Sequence, residues 1–468
     1  MALNNKYRYY ILLLGCLCMT SISSNMYAFN IAQICMATPS NETTLGSWKA
    51  VDYAPSDVSF INGVVGAGTM IGTIPSSGIY ARYGLKTPFV IAGILSALTT
   101  ALQPFAAEFH LYAMLVTRFI QGVTYAAIYP AIAILSSRWA AVKQTGLFIC
   151  VYICYTPLSS GLTNVLGGII CNHLNWALVY FSHALIGFII FGLWLIFFDD
   201  HPHKSSAVSK IELEKIQRDK TEALLNGDND IPYKEILSDI RYSLTNFLFV
   251  YAPYYISNVL GYSTEETGFF SAIASTAQIP LRLICGILSD RIQFVSERTK
   301  MVFFNTVGLL TGGIVCGLVG FVPNEWSIVP VILFSFCNLA TGSATVGFFK
   351  CGIVYARQYS SFICSTCQFI KCFAVLLGPG MVAVFVHDKS SREQWRIIFL
   401  ITSAALISAS LLFVKFCSAT PAPYTAELPI KDQAALESLV QRRLSKEDSD
   451  NLQRQRANSL MSLSGVVT

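Results

Sequence analysis

Three cationic side chains lie deep inside apolar stretches of the sequence: Arg118, Arg282 and Lys371. The nearest acidic residues stand at the ends of such stretches: Asp57, Glu108, Glu265 and Asp290. Burying a guanidinium at the centre of a bilayer costs about 2.5–3.5 kcal/mol on insertion scales, so such a residue normally faces a watery cavity. A bound anion offsets the cost of burying these charges. We therefore expect a small organic or inorganic anion as the ligand.

Polar side chains follow Arg118 along one face of its predicted helix. Gln121, Tyr125 and Tyr129 stand at +3, +7 and +11, positions that share much the same face of a helix. An arginine can hold a carboxylate or a phosphate through two parallel hydrogen bonds. We expect Arg118 to be the main counter-charge and the three polar residues to line the path of the anion. The alternative is that Arg118 merely pairs with neighbouring carbonyl groups.

Three further residues are candidates for binding or coupling. Lys371 offers a second positive charge from the other half of the chain. Arg282 is a third, with the alternative that its side chain snorkels to the membrane surface about 12 Å away. His183 is the candidate for proton coupling because histidine titrates near physiological pH. The alternative for His183 is a packed side chain that is hydrogen-bonded to a neighbour.

The composition is that of an integral membrane protein. Of 468 residues, 53% are hydrophobic and only 13% are charged, against about 25% charged in soluble domains. The net charge of +5 does not indicate nucleic-acid binding, because the basic residues lie in loops and tails. No His-rich cluster, Gly-x-Ser-x-Gly or phosphate-binding loop is present, so we expect no enzyme activity and no cofactor.

The 14 cysteines lie mostly in apolar stretches and are interpreted as small buried hydrophobic residues rather than a disulfide framework. The Cys364-Ser-Thr-Cys367 spacing has no second pair and no nearby histidine. We therefore expect no metal site.

Twelve stretches are long and apolar enough to cross a bilayer as helices. They are 10–33, 57–80, 87–106, 110–136, 145–170, 176–198, 242–260, 266–289, 301–322, 327–349, 361–386 and 396–417. The first is too long for the core of a signal peptide and is interpreted as a retained span. The predicted fold class is an all-α integral membrane protein with twelve transmembrane helices in two pseudo-symmetric halves.

The predicted organisation follows from the polar segments between these spans. Residues 1–198 form an N-terminal six-helix half, and 199–241 form a cytoplasmic linker with a short helix ended by Asn226-Gly227. Residues 242–417 form the C-terminal half, and 418–468 form a largely disordered cytoplasmic tail.

Basic residues predict the orientation, because cytoplasmic loops carry an excess of Lys and Arg. With the N-terminus inside, Arg82, Lys86, Arg138 and Lys143 fall in cytoplasmic loops. The sequon at Asn41 then falls outside, where glycosylation occurs. We expect a multi-pass protein of the plasma membrane or of a vesicle membrane, with both termini cytoplasmic.

Similar segments follow the second and the eighth spans. The first runs SGIYARYGLK from Ser77 to Lys86, and the second runs CGILSDR from Cys285 to Arg291. Duplicated halves around a central site are a common transporter plan. The charges and glycines of both loops are predicted to gate alternating access by locking one half against the other. These gating candidates are Gly78, Arg82, Gly84, Lys86, Gly286, Asp290 and Arg291.

These loops resemble the signature of the major facilitator superfamily, and further motifs resemble its anion:cation symporter family of sialin, vesicular glutamate and sodium–phosphate transporters. The matching motifs are Arg118, Gln121-Gly122, Tyr129-Pro130-Ala131, Trp139, Gly378-Pro379 and Trp395-Arg396. The resemblance implies the fold named above and a secondary transporter of anions that works by rocker-switch alternation.

The sequence departs from that family at charged positions. The family has an arginine two residues before a first-span asparagine; here Ala28 precedes Asn30, which the resemblance makes a binding residue. The family has a glutamate seven residues after the fourth-span arginine, where Tyr125 stands. Coupling to protons, sodium or membrane potential therefore stays open. The alternative function is a non-transporting receptor or scaffold with the same fold. We expect a monomer whose partners are the anion, a coupling ion and the bilayer.

Overall fold

The computed structural model describes residues 5–36, 48–218, 220, 264–322, 328–385, 392–422 and 425. Within these ranges the regular structure is entirely helical. The predicted span 242–260, the sequon at Asn41, the 226–227 helix end and the predicted tail beyond residue 425 lie outside the described residues.

The N-terminal half contains helices α1 to α8. They are α1 Tyr7–Met36, α2 Pro55–Tyr83, α3 Lys86–Phe109, α4 Leu111–Tyr125, α5 Ile128–Trp139, α6 Thr145–Ile153, α7 Tyr155–His173 and α8 Trp176–Phe197. A short helix, α9, follows at Lys210–Gln217.

The described part of the C-terminal half contains helices α10 to α14. They are α10 Thr264–Arg291, α11 Glu297–Val319, α12 Ile328–Ala356, α13 Ser360–Phe385 and α14 Arg392–Phe416. Each of the predicted spans other than 242–260 coincides with one of these helices or with a pair of them. By length and composition alone, the described chain contains 8 helical stretches able to cross a membrane.

Local sequence signals explain several helix ends. His110 begins α4 by accepting a hydrogen bond from the backbone N–H of Tyr112, and Asn175 begins α8 by accepting one from Ala177. Such side-chain acceptors satisfy N–H groups that a helix leaves unpaired at its start. Gly84 ends α2 with a φ of 75°, a left-handed conformation that glycine adopts without steric cost.

Two predicted spans are broken in the middle. The span 110–136 is interrupted at Ala126 and Ala127, between α4 and α5, and the span 145–170 is interrupted at Cys154. Pro130 and Pro157 each lie within one turn after the break. A proline has no N–H for the carbonyl four residues earlier, so it weakens the helix there.

The helix ends separate into two ends of the bundle. We call the end that carries Lys86, Arg138, Asp200, Asp290 and Arg298 the basic end, which is the end predicted to be cytoplasmic. The N-terminal and C-terminal halves pack together through α10 on α6 and α7, α12 on α6, and α13 on α2 and α5.

One disulfide joins Cys35 of α1 to Cys171 of α7, with a Cα–Cα distance of 5.9 Å. It lies at the far end, opposite the basic end. The interpretation of the cysteines as small buried hydrophobic residues rather than a disulfide framework was therefore wrong for this pair. Both residues stand at the polar edge of a span rather than inside it, which distinguishes them from the buried cysteines Cys16, Cys18, Cys150, Cys154, Cys316 and Cys337.

Candidate functional site

The Arg118 guanidinium is buried between α1, α2 and α4, with 2% of the residue exposed. Its Nη1 donates to the carbonyl oxygen of Met26 at 2.8 Å and to Oε1 of Gln121 at 2.8 Å, and its Nη2 donates to Oδ1 of Asn62 at 3.2 Å. The guanidinium carbon also lies 5.0 Å from the ring centre of Phe29. We call these residues the arginine cluster.

All partners of Arg118 in this cluster are neutral. The polar oxygens accept from Nη1 and Nη2, whereas Nε has no hydrogen-bond partner among the described residues. These neutral contacts leave the full positive charge of the guanidinium uncompensated. Gln121 is held in turn, because its Nε2 donates to the carbonyl of Asn25 at 3.2 Å and to Oγ1 of Thr100 at 2.7 Å. These contacts fix the Gln121 side chain, whose Oε1 accepts from Arg118.

A second cluster surrounds Lys371 of α13. The ammonium nitrogen donates to the hydroxyl of Tyr129 at 3.3 Å and lies 5.2 Å from the ring centre of Tyr129 and 5.9 Å from that of Tyr125. The hydroxyls of Tyr125 and Tyr155 are 3.0 Å apart. Tyrosine faces attract a cation without neutralising it. We call these four residues the tyrosine–lysine cluster; it joins α13 of the C-terminal half to α4, α5 and α7 of the N-terminal half.

Arg282 also reaches from one half to the other. Its Nη1 donates to the carbonyl oxygen of Ile153 at 3.1 Å, and its Nη2 donates to Oε1 of Gln278 at 2.6 Å. Ile153 stands four residues before Pro157, so its carbonyl has no helical N–H partner at that position. Arg282 therefore binds a carbonyl that the break between α6 and α7 has freed.

Among the described residues, no carboxylate forms an ion pair with Arg118, Arg282 or Lys371. The ion pairs there all involve other lysines: Lys86 with Asp199, Lys300 with Glu297, and Lys350 with Asp290 and Glu297. The described residues also contain no group of three or more His, Cys, Asp and Glu side chains that could hold a metal ion.

The predicted polar stripe on one helix face is divided in the structure. Arg118 and Gln121 belong to the arginine cluster, whereas Tyr125 and Tyr129 belong to the tyrosine–lysine cluster. Tyr129 lies beyond the break at Ala126 and Ala127, where the Ala127 carbonyl accepts from the Tyr80 hydroxyl at 3.2 Å. Tyr125 lies before the break, at the end of α4. The prediction that Tyr129, at +11, continues the helix face of Arg118 assumed one unbroken helix, and that assumption was wrong.

Two other candidates stand apart from both clusters. Asn30 is exposed on α1, one turn beyond the Met26 carbonyl that binds Arg118. His183 is buried in α8, and its Nδ1 lies 2.7 Å from the carbonyl oxygen of Val179. That acceptor places the proton on Nδ1 in the neutral ring. No described residue hydrogen-bonds its Nε2.

The predicted gating loop of the N-terminal half is held within its own half. Oδ1 of Asp200 accepts from the backbone N–H groups of Leu85 at 2.6 Å and Lys86 at 2.9 Å, at the start of α3. The Lys86 ammonium lies 3.3 Å from Asp199. A Cβ at Gly84 would lie 2.7 Å from Asp200, so only glycine fits. Arg82 is exposed, with its guanidinium 5.7 Å from the Tyr83 ring centre.

The matching loop of the C-terminal half reaches the other half. The Asp290 carboxylate accepts from the backbone N–H groups of Gly146 at 3.1 Å and Leu147 at 2.8 Å, at the start of α6. Lys350 holds the same carboxylate at 3.3 Å. We call this contact of Asp290 with α6 and Lys350 the Asp290 latch. An anionic side chain at a helix N-terminus pairs free N–H groups and favours the helix dipole.

The other predicted gating residues differ in what they contact. Gly286 lets α10 approach α6, since a Cβ there would lie 3.0 Å from Sγ of Cys150 and 3.1 Å from the carbonyl oxygen of Gly146. Gly78 lies within α2, and Arg291 is exposed at the end of α10. The structure therefore brings Gly286 and Asp290 to the boundary between the halves.

Sequence reasoning missed Glu212, which fixes the start of α1. Its two carboxylate oxygens accept from the backbone N–H groups of Tyr7 at 3.1 Å and Arg8 at 3.0 Å. Ser209 accepts from the backbone N–H of Glu212 at 3.2 Å, which is half of a capping box. The Ser-x-x-Glu spacing was the available signal. It predicts a glutamate that accepts from a backbone N–H of its own helix, not from the start of α1.

The family model of the Major Facilitator Superfamily matches residues 13–379. Sialin of Ovis aries is 22% identical over 364 residues, which cover 75% of this chain and 73% of sialin. Vesicular glutamate transporter 2 of Bos taurus is 23% identical over 394 residues, covering 80% and 67%. Sodium-dependent phosphate transport protein 3 of Mus musculus is 20% identical over 363 residues, covering 75% and 76%.

The fold is similar to that of the proton:xylose symporter XylE, solved with bound 6-bromo-6-deoxy-D-glucose. The TM-score is 0.64, and the alignment covers 89% of this chain and 97% of XylE at 14% sequence identity. Identity at this level shows a shared fold and carries no inference about the solute.

Proposed function

Because the chain belongs to the major facilitator superfamily, we propose that it is a secondary transporter that moves a small organic or inorganic anion by alternating access. The observation that carries the proposal is a set of three cations inside the helical bundle whose described partners are all neutral: Arg118, which is buried, and Arg282 and Lys371, which are partly buried. An anion that enters between the halves meets an attractive field that no described carboxylate cancels. The relatives named sialin, vesicular glutamate transporter 2 and sodium-dependent phosphate transport protein 3 support this class of solute.

Arg118 and Lys371 have different proposed roles in binding. Arg118 is the main counter-charge, because the 3.2 Å contact with Asn62 is its longest and most easily replaced by a carboxylate or phosphate oxygen. Lys371 is the second charge. Its contact with the Tyr129 hydroxyl crosses from one half to the other, so an anion that takes the place of Tyr129 also releases a contact between the halves. Binding and the change of state are thereby linked. Asn30 supplies an additional polar group from α1.

The described contacts between the halves support a state that is closed at the basic end. The Asp290 latch ties α10 to the start of α6, and the Ser76 and Ser365 hydroxyls, 3.3 Å apart, join α2 to α13. Arg282 adds its contact with the Ile153 carbonyl. We infer that these contacts break when the halves rock to open the basic end, which is the gating step of alternating access.

Coupling follows from the same charges. Tyr125 is paired with Tyr155 and Lys371 and does not ionise as a glutamate does, so the family's proton-coupling position is lost here. The anion carries charge through the membrane, and one elementary charge across 100 mV is worth about 2.3 kcal/mol. We propose that transport is coupled to the membrane potential. His183 is the proposed group through which pH acts on transport, and sodium is the alternative coupling ion.

The proposed orientation places the basic end in the cytoplasm of a plasma or vesicle membrane, with both termini on that side. The Cys35–Cys171 disulfide at the far end supports this orientation, because disulfides persist in extracellular and luminal compartments. The linker 199–241 and the tail 418–468 are proposed cytoplasmic segments of a monomer.

A ligand-stabilisation screen of the purified full chain tests the class of solute. A ligand that binds only the folded state raises the melting temperature by mass action. At one hundred times its Kd, it adds about 2.7 kcal/mol to the free energy of unfolding. We expect a shift with one or more of sialic acid, glutamate, phosphate and urate, and no shift with the neutral sugar xylose at the same concentration. A shift with xylose and with none of the anions would contradict the proposal.

A further inference from the structure

Two thiols meet at the basic end of the C-terminal half. Cys351 lies on α12 and is partly exposed, whereas Cys417 directly follows the last residue of α14 and is buried. Their Sγ atoms are 3.7 Å apart. A disulfide has an S–S distance of about 2.05 Å, so the sulfurs need to approach by about 1.7 Å.

The backbone around this pair is held in place. The carbonyl of Cys417 accepts from Nε of Arg298 at 2.9 Å, at the end of α14. Beyond it, the backbone N–H of Ala422 donates to the carbonyl of Tyr355 on α12 at 2.9 Å. The segment that leaves the last helix therefore returns to α12, and both sulfurs lie at that joint.

We propose that Cys351 and Cys417 form a reversible thiol modification site at which a peroxide closes a disulfide. Cys351 is the more exposed thiol, so its sulfur attacks the peroxide: an S–O bond forms, the O–O bond breaks, and one water leaves. Cys417 then attacks the sulfur of this sulfenic acid: the S–S bond forms, the S–O bond breaks, and a second water leaves with the thiol proton. Two thiols and one hydrogen peroxide thus give one disulfide and two waters. A small dithiol or glutathione reverses the reaction.

The disulfide would act on the Asp290 latch through the adjacent residue. Lys350 precedes Cys351 on α12, and its ammonium lies 3.3 Å from Asp290, 3.0 Å from Glu297 and 3.1 Å from the Ser289 hydroxyl. A bond between α12 and the end of α14 restrains the helix that carries this lysine. By holding Lys350 against Asp290, the bond orders the carboxylate that reaches Gly146 and Leu147 of the other half. Through this contact between the halves, oxidation stabilises the closed basic end and slows transport. This effect on flux rests on the proposed function, whereas the chemistry of the pair does not.

Disulfide mapping tests the site. The full chain is treated with hydrogen peroxide in detergent, its remaining thiols are alkylated, and the peptides are identified by mass spectrometry without reduction. We expect the Cys351–Cys417 peptide in most molecules and its loss after dithiothreitol. Alkylated thiols at both positions at every dose, or a sulfinic acid at Cys351 with no disulfide, would overturn the proposal.

Variants separate the site from its effect. Cys351→Ser and Cys417→Ser should abolish the disulfide, whereas the matched change Cys316→Ser, at another buried cysteine of the same half, should preserve it. In reconstituted vesicles, we expect peroxide to slow uptake of the anion that stabilises the protein at least threefold for the unaltered chain and for Cys316→Ser. Uptake by Cys351→Ser should not slow. The alkylation rate of the buried Cys364 reports opening even when no flux is found. A mapped disulfide that changes neither flux nor this rate confirms the site and rejects its effect on opening.

Discussion

The two repeated loops at the basic end differ in what their ends bind. In the C-terminal half, Asp290 leaves its own half and caps α6 in the other. In the N-terminal half, Ala81 precedes Arg82 where Asp290 precedes Arg291 in the other loop. The N-terminal loop is fixed by Asp199 and Asp200, at the start of the linker that directly follows the same half. A contact within one half stabilises that half in every state. A contact between the halves stabilises only the state in which they meet.

This difference teaches that pseudo-symmetric loops need not both link the two halves. Only the C-terminal loop has a carboxylate that links the halves within the described residues. Across the boundary near α2 and α13, the described polar contacts include the neutral hydroxyl pair of Ser76 and Ser365 and the contact of Lys371 with Tyr129. The alkylation rate of Cys364, which is buried in α13 beside Ser365, measures opening on this side.

Replacing the latch carboxylate should give the largest effect on opening. Asp290→Asn removes a buried charge-assisted contact with two N–H groups and leaves Lys350 with one carboxylate fewer. Such contacts contribute about 1.5–3 kcal/mol, so the open fraction and the alkylation rate of Cys364 should rise about 10- to 100-fold.

The matched change in the N-terminal half is Asp199→Asn. It removes a partly exposed ion pair with Lys86, worth about 0–1 kcal/mol, and the pair does not cross between halves. The alkylation rate should stay within about twofold of the unaltered chain. Equal rates for the two variants would contradict the difference between the loops.

A smaller effect is expected from Pro157→Ala. The new backbone N–H can bond to the Ile153 carbonyl and compete with Arg282, which weakens one contact between the halves. We expect the alkylation rate of Cys364 to rise about three- to tenfold, the equivalent of about 1 kcal/mol. Pro104→Ala, in a helix of the N-terminal half with no such contact, is the control. An unchanged rate in Pro157→Ala would show that Arg282 does not depend on the freed carbonyl.

Restoring the missing carboxylate should act in the opposite direction. Ala81→Asp places an anion in the loop that corresponds to that of Asp290, near the start of α13. A carboxylate at a helix N-terminus contributes about 0.3–1 kcal/mol, so alkylation should slow about two- to fivefold. Ala81→Asn controls for size without charge. Faster alkylation in Ala81→Asp would show that the two loops do not face equivalent helices.

Removing the cap on α1 should have the smallest effect on opening. Glu212→Gln weakens two hydrogen bonds that lie entirely within the N-terminal half and its linker. We expect a lower melting temperature, because charged caps contribute about 1 kcal/mol, with an alkylation rate within about twofold of the unaltered chain. A change in alkylation as large as that of Asp290→Asn would remove the distinction between contacts within and between halves.

Much of the fold could be predicted from the sequence because lipid fixes the length and polarity of a span. The broken helices could not. Pro130 and Pro157 lie beside breaks, but Pro75, Pro104 and Pro280 lie inside continuous helices. Whether a proline breaks a helix depends on which neighbours bind the freed carbonyl, as Arg282 does, and that is a property of tertiary packing.

The candidate site was predictable in its charges and not in its partners. Depth in an apolar span identified Arg118 and Lys371, since burial of a charge is costly wherever the helix packs. The Met26 carbonyl and Asn62 come from other helices, and no spacing along the chain predicts them. The repeat identified Asp290 as a candidate, but its acceptance from Gly146 and Leu147 of the other half required the structure.

The central claim is that the uncompensated cations Arg118 and Lys371 bind the transported anion. Uptake by reconstituted vesicles tests this claim most directly. The anion that stabilises the protein is supplied to vesicles containing the unaltered chain, Arg118→Gln, Lys371→Gln or Lys204→Gln, the last being an exposed lysine at the basic end. We expect at least a tenfold loss of uptake for Arg118→Gln and Lys371→Gln and less than a twofold change for Lys204→Gln. Undiminished uptake by both Arg118→Gln and Lys371→Gln would contradict the account.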